Sequence, residues 1–249
     1  MKKNFFILII TLLLSNLVNA QFFSRTLEEN TNLKKYSSVI EQIHSGRKDY
    51  WKFEYVLKNG KVDIFKSFFN DELRSELKLI YDENSNLKYE IITFNINHGK
   101  KMDTIPLNAT YNQNNLKIED SNSKYFYNKN NQLLKNVSNS YKTSNGTKGW
   151  TIEYNYDNLG NISSSKKTLI LDGVENIDVE EFTYDKCKNI KSIKRKSIPE
   201  KEYPIIMIGA KSKHKQEFFE YEYNSDCLWT KKFLIVNDKK TLIAEREFI

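Results

Sequence analysis

This chain of 249 residues lacks most of what the commoner chemistries need. It has only two cysteines, three histidines, three prolines and eight glycines. With one Cys pair there can be no disulfide-dense scaffold. His44, His98 and His214 stand apart from each other and from the cysteines, without zinc-type spacing. The scattered glycines form neither a phosphate-cradling loop nor a nucleophile elbow. No cofactor is implied. Because no Pro/Gly/Ser-rich linker divides the chain, residues 21–249 read as a single domain. Charge of one sign is also missing, with 39 basic residues against 32 acidic. The net +7 falls by the two of Lys2 and Lys3 to +5 beyond residue 20, because residues 1–20 contain no acid. So mild and interspersed an excess speaks against nucleic acid as a partner.

The one long apolar run, Phe5 to Leu14, follows Lys2 and Lys3 and precedes Val18-Asn19-Ala20. A basic start, a short apolar stretch and small residues at the end predict a signal peptide over residues 1–20. The run is shorter than the roughly 20 residues that span a bilayer. No transmembrane segment is expected in the mature chain, which is read as periplasmic or secreted.

Aromatic residues in alternating patterns are what the chain has in plenty. "WKFEYVLKNGKVDIFKSFF" reads as a hairpin about Asn59-Gly60, the pair favoured where both turn positions need positive φ. Its simple register sets Leu57 opposite Val62, Tyr55 opposite Ile64, Phe53 opposite Lys66 and Trp51 opposite Phe68. Upstream, Leu33, Tyr36, Ile40 and Ile43 recur at spacings of three and four, predicting one short helix over about 31–45. Downstream, "WTIEYNYDNLGNIS" recurs in looser copies. Tyr81-Asp82, Tyr127-Asn128, Tyr156-Asp157, Tyr184-Asp185 and Tyr223-Asn224 are each followed, six residues after the Tyr, by Leu87, Leu133, Ile162, Ile190 or Trp229. Tyr111-Asn112 with Leu116 reads as a copy one residue shorter. In this reading Tyr ends a strand, Asp or Asn opens the turn by bonding the backbone ahead, and Gly160 or a left-handed Asn brings the chain back. The fold class is then mainly β: a long antiparallel meander of hairpin repeats, ten to fourteen strands, rolled or open-barrel-like.

"YNYDNLGNIS" and "TYDKCKNIKSI" resemble YD repeats, the Tyr-Asp units of RHS-type proteins and of small exported bacterial β proteins. The resemblance spans about residues 77–235, and only one copy keeps the turn glycine. It implies a rolled antiparallel sheet. Large RHS proteins build a shell around a toxin from such units, and five or six units are too few to enclose a passenger domain.

Cys187 and Cys227 both fall in repeat turns of an exported chain and are candidates for a disulfide. "EYPIIMIGAKSKHKQ" interrupts the repeats; its apolar run Ile205, Ile206, Met207 and Ile208 is an extra edge strand or an exposed partner-binding element. Trp229, at the start of a return strand, is the candidate exposed ring. Glu180 and Glu181 are adjacent on a strand, point to opposite faces and cannot share an acid–base site. In "KCKNIKSIKRK", Lys194 and Lys196 share a face and Arg195 faces away. The sequons at Asn108, Asn136, Asn145 and Asn161 arise readily in so Asn-rich a chain and carry no assignment. Strands such as "SSSKKT" lack a lipid-facing apolar band, against an outer-membrane barrel. No catalytic or metal residue is assigned. The expected function is a non-enzymatic, exported β-repeat binding or scaffolding protein of the cell envelope, with a protein or glycan ligand. The alternative is an envelope hydrolase acting on a polysaccharide or peptide, which a pocket with convergent acids or a His would favour.

Overall fold

The structure, a computed structural model, describes residues 31–44, 49–84, 86–96, 99–106, 108–139, 141–143, 146–171, 173–205 and 212–249. The expected signal peptide, His98, and Ile206, Met207 and Ile208 lie outside the described residues.

Among the described residues the chain is almost all strand. A single 3-10 turn, Thr31–Lys35, precedes β1 (Ser38–His44), β2 (Tyr50–Lys58), β3 (Lys61–Phe69), β4 (Glu72–Tyr81), β5 (Leu87–Ile96) and β6 (Gly99–Pro106). There follow β7 (Thr110–Tyr111), β8 (Lys117–Glu119), β9 (Ser123–Tyr127), β10 (Leu133–Ser138), β11 (Tyr141–Thr143) and β12 (Gly146–Tyr156). The last third holds β13 (Ile162–Leu171), β14 (Val174–Tyr184), β15 (Ile190–Ile198), β16 (Gln216–Tyr223), β17 (Trp229–Val236) and β18 (Lys239–Phe248). All eighteen belong to one antiparallel sheet, more strands than the sequence pattern suggests because β7, β8 and β11 are only two or three residues long and β1 stands where a helix is expected.

The expected helix over 31–45 is overturned. Its apolar spacing of three and four also fits a strand, because Val39, Glu41 and Ile43 alternate with Ile40, Gln42 and His44. What decides is the neighbours. β1 slots between β18 and β2, with Val39 opposite both Phe248 and Tyr55. The first and last strands thus pair, and consecutive strands otherwise pair in order from β12 to β18 and from β2 to β6. No ladder joins β6 to β7 among the described residues, so the sheet is not closed.

The Asn59-Gly60 turn forms as expected, with φ of 55° and 78°. Its register does not. After Leu57 opposite Val62, a bulge sets Val56 opposite Ile64, Tyr55 opposite Phe65 and Trp51 opposite Phe69. Asp63 is the extra residue. The shift brings Phe65 rather than Ile64 onto the face of Tyr55, where the two rings lie 5.2 Å apart. Lateral register then carries one face across the sheet: Ile92, Leu77, Phe65, Tyr55 and Val39 are all buried, with Leu33 and Leu228 against them. This is the inner face. The outer face carries cross-strand ion pairs, including Lys66–Glu54, Lys196–Glu181 and Lys231–Glu222.

A ring of turns and a half-covered inner face

Each repeat turn is built the same way. Oδ1 of Asp82, Asn112, Asn128, Asp157, Asp185 or Asn224 accepts the backbone N–H four residues on, at 2.8–3.0 Å. The same residue's N–H donates to that partner's carbonyl. The position three residues after the Asp or Asn is left-handed: Asn115, Asn131, Gly160, Lys188 and Cys227 all have φ between 58° and 82°. Gly is therefore dispensable there, since a single left-handed residue costs little against six local hydrogen-bonding groups satisfied. The Tyr111 unit is not shorter. Leu116 holds the place of Asn161, and Tyr111 faces Lys117 six residues on. A bulge immediately precedes the Tyr of every unit, as between Asn155 and Tyr156 or Glu222 and Tyr223, with the extra residue on the return strand. Each bulge adds local twist, which helps the sheet roll.

The Tyr hydroxyls join one unit to the one before. Tyr127 donates to the Lys117 carbonyl, Tyr156 to Leu133, Tyr184 to Ile162 and Tyr221 to Ile190, at 2.8–2.9 Å. In the last unit Tyr223 instead bonds the Asp185 carboxylate and the Asn189 amide. Tyr81 reaches the Val62 carbonyl at the tip of the first hairpin. Across the unladdered side, Asn86 Nδ2 donates to Asn115 Oδ1 at 2.9 Å and Asn115 Nδ2 to the Asn84 carbonyl at 3.1 Å. The 3-10 turn bridges the remaining step. Lys35 and Tyr36 hold the Asp226 carboxylate at 2.7 and 3.0 Å, and Lys34 packs beside Gly60. Side chains thus complete a ring of turns at one rim of a sheet whose backbone ladder stays open.

Cys187 and Cys227 lie in neighbouring turns of that ring, bonded to each other with Cα atoms 5.7 Å apart. Trp229 is not an exposed ring. It is 7% exposed, and the Arg246 guanidinium stacks on it 3.8 Å from the ring centroid. The repeat bulge places Trp229 opposite Tyr223 on the inner side, where Arg246 is held by Glu41 at 2.9 Å. Ile205 makes a two-way backbone bridge with Lys213, closing the base of the segment whose other apolar residues lie outside the described set.

Coverage of the inner face is uneven. On β1–β5 a buried row of Val39, Phe53, Tyr55, Phe65, Leu77 and Ile92 is flanked by the partly buried Ile43, Trp51, Leu79 and Phe94, whereas on β12–β15 the inner-face residues Trp150, Ile152, Tyr154, Tyr156, Phe182, Tyr184 and Ile193 are all only partly buried. Burial pushes the Tyr154 phenol up. Between Tyr125 and Ile152 in register sits Asn136, 5% exposed, whose Oδ1 has no hydrogen-bond partner. Next along the face, Arg195 donates to Glu180 at 2.8 Å and lies 3.1 Å from Glu217, with Arg195 and Glu217 both 8% exposed in their side chains. Burial works against the Arg195 charge, and the two carboxylates outweigh it, raising its pKa. Arg195 also holds the His214 and Lys215 carbonyls, so it anchors the return of the 199–215 excursion. As expected from strand alternation, Lys196 points the other way, to Glu181.

A cleft of about 290 Å³ is lined by Ile40, Gln42, Thr230, Lys231, Glu245, Arg246 and Glu247. His44 Nε2 bonds Glu245 at 3.0 Å beside it. Neither Asn136 nor Arg195 was legible as functional: Asn136 reads as one Asn among many, and Arg195 as part of a lysine run. The one signal for Arg195 was its alternation away from Lys194 and Lys196.

No family model matches the chain, and no curated protein matches its sequence. Among solved structures, a porin-like protein from Bacteroides uniformis superposes with a TM-score of 0.46 at 11% identity, over 86% of this chain and 98% of that one. Tc toxin components are also among the structural neighbours. A Tc holotoxin pore of Photorhabdus luminescens gives 0.31 at 15% identity, over 79% of this chain and 11% of that one. TcdB2-TccC3 without its hypervariable C-terminal region gives 0.28 at 15%, over 77% and 12%. The chain spans only about a tenth of those two toxin chains. Likeness at this level carries no functional argument. Among the described residues no helix is long and apolar enough to cross a membrane.

Proposed function

We propose that the protein is an exported, non-enzymatic β-repeat binding or scaffolding protein of the cell envelope, built from degenerate YD repeats of the RHS type. Its ligand surface is the half-covered inner face of β12–β15. The observation that supports this reading is the contrast within one face: on β2 and β3 the central rings Phe53, Tyr55 and Phe65 are buried, while on β12–β15 no ring is, and Trp150, Tyr154, Phe182 and Tyr184 all keep exposed area. A buried acceptor without a partner, Asn136 Oδ1, lies in the same patch. Such an atom costs about 1–3 kcal/mol until a donor reaches it. Flat rings with hydroxyls and amides between them suit a glycan, whose apolar ring faces stack and whose hydroxyls donate.

The test is capture from envelope and polysaccharide extracts by purified residues 21–249, read by mass spectrometry and sugar analysis. One reproducibly enriched glycan, lost in Trp150→Ala and Tyr154→Ala while the circular dichroism spectrum is kept, supports the reading. Enrichment indifferent to both substitutions, or hydrolysis of the extract, overturns it.

A further inference from the structure

The side of β6 away from β5 is the one long strand edge without a ladder among the described residues. β7 is two residues long and β8 three, both adjoin the Asn112–Leu116 turn, and neither makes a ladder with β6 among the described residues. The strand is exposed on both faces. Lys101, Met102, Asp103 and Thr104 are all exposed in succession, and Met102 keeps 71% of its surface. Exposed edges of this kind are templates for another strand unless something blunts them.

Here the blunting is local and reversible. The Thr104 N–H donates to the carboxylate of its own neighbour, Asp103, at 2.9 Å. That puts the even-numbered backbone groups on the open side, since successive residues of a strand alternate in the direction their N–H and C=O point. A strand added there must pair even positions with even positions.

We propose that this edge pairs with the same edge of a second copy, antiparallel and centred on Met102. The sequence is self-complementary in that register. Met102 faces Met102 of the other copy on the outer face. Lys101 faces Asp103 and Asp103 faces Lys101 on the inner face, two opposite-charge pairs generated by one two-fold axis. The Asp103 carboxylate that caps Thr104 leaves it for the facing lysine, and the freed N–H enters the new ladder. The Asn86–Asn115–Asn84 contacts keep the near end of the gap shut, so the second copy approaches from the far rim. This inference is independent of the ligand surface on β12–β15.

The test is the mass of purified residues 21–249 in solution across a concentration series, by light scattering or sedimentation. The wild-type chain is expected to rise from one chain mass towards two. Lys101→Asp and Asp103→Lys each oppose like charges and are expected to raise the dimer dissociation constant at least about tenfold, on the scale of a like-charge cross-strand contact. The double variant Lys101→Asp/Asp103→Lys restores complementarity and is expected to restore the dimer. Both positions of change are on exposed side chains, so folding is checked but not at stake. A wild-type chain that stays monomeric throughout overturns the proposal, as does a dimer equally tolerant of both single variants.

Discussion

The hydroxyl of Tyr156 donates to the backbone carbonyl of Leu133 at 2.8 Å, and Leu133 stands six residues after the Tyr of the preceding unit. The same bond recurs from Tyr127 to Lys117 and from Tyr184 to Ile162. The Tyr of each unit therefore serves the unit before it, while the Asp or Asn beside it serves its own turn. Replacing Tyr156 by Phe leaves the ring in place and removes this bond. The expected loss is about 1 kcal/mol of unfolding free energy, read as a lower urea midpoint at unchanged slope. Tyr154→Phe, which removes a hydroxyl without such a partner, is expected to change the midpoint little.

The Cys187–Cys227 bond closes a segment of 40 residues between neighbouring turns. In the loop-closure treatment a cross-link of that length stabilises by about 4 kcal/mol. Cys187→Ser/Cys227→Ser is expected to lose an amount of that order in urea unfolding. Reductant should lower the wild-type midpoint and leave the variant's unchanged. A midpoint that ignores reductant would show that the cross-link contributes nothing.

Two glycines separate backbone strain from packing. Gly60 and Gly173 have nearly equal φ, 78° and 81°. A methyl on Gly173 meets nothing within 4 Å, whereas on Gly60 it falls 2.7 Å from Lys34 Cγ. Gly173→Ala is expected to cost about 1 kcal/mol from conformation alone. Gly60→Ala should cost more, because the 3-10 turn that completes the ring must shift. Equal losses would mean that Lys34 gives way freely.

Acid should loosen the ring first. Bonding to Lys35, together with Tyr36, lowers the Asp226 pKa, and bonding to Asn161 lowers that of Asp157. A carboxylate depressed on folding contributes stability that is present above its unfolded pKa and lost as pH falls through the folded one. Stability should therefore decline below about pH 4, where an unfolded Asp begins to protonate. Asp226→Asn cannot titrate, so its melting temperature should fall less steeply over that range. An equally steep fall would place the acid sensitivity elsewhere.

Arg195 and Glu217 test the inner face. Removing the guanidinium leaves a buried carboxylate without its cation, so Arg195→Ala is expected to cost about 3–5 kcal/mol in urea unfolding. It should also free the His214 and Lys215 carbonyls, seen as faster amide exchange across 212–217. A loss under about 1 kcal/mol would show the pair to be solvated in practice.

Local rules were enough to read the turns and the two faces of the strands. Asn59-Gly60, the Asp or Asn opening each repeat turn, and the alternation of Trp150, Ile152 and Tyr154 all follow from bonds and directions within a few residues. The same rules left the 33–43 stretch ambiguous, because spacings of three and four place Leu33, Tyr36, Ile40 and Ile43 on one helical stripe while Val39 and Ile43 also suit a strand face. Only the gap between β18 and β2 settled it, since a strand there satisfies two rows of backbone groups that a helix would leave open. Register likewise needed the neighbours. One extra residue, Asp63, moved Phe65 onto the buried face, and the repeat bulge turned Trp229 inward under Arg246. Burial of Asn136 and Arg195, the closing of the ring and the open edge of β6 depend on strands far apart in the chain, so no short window of sequence contains them.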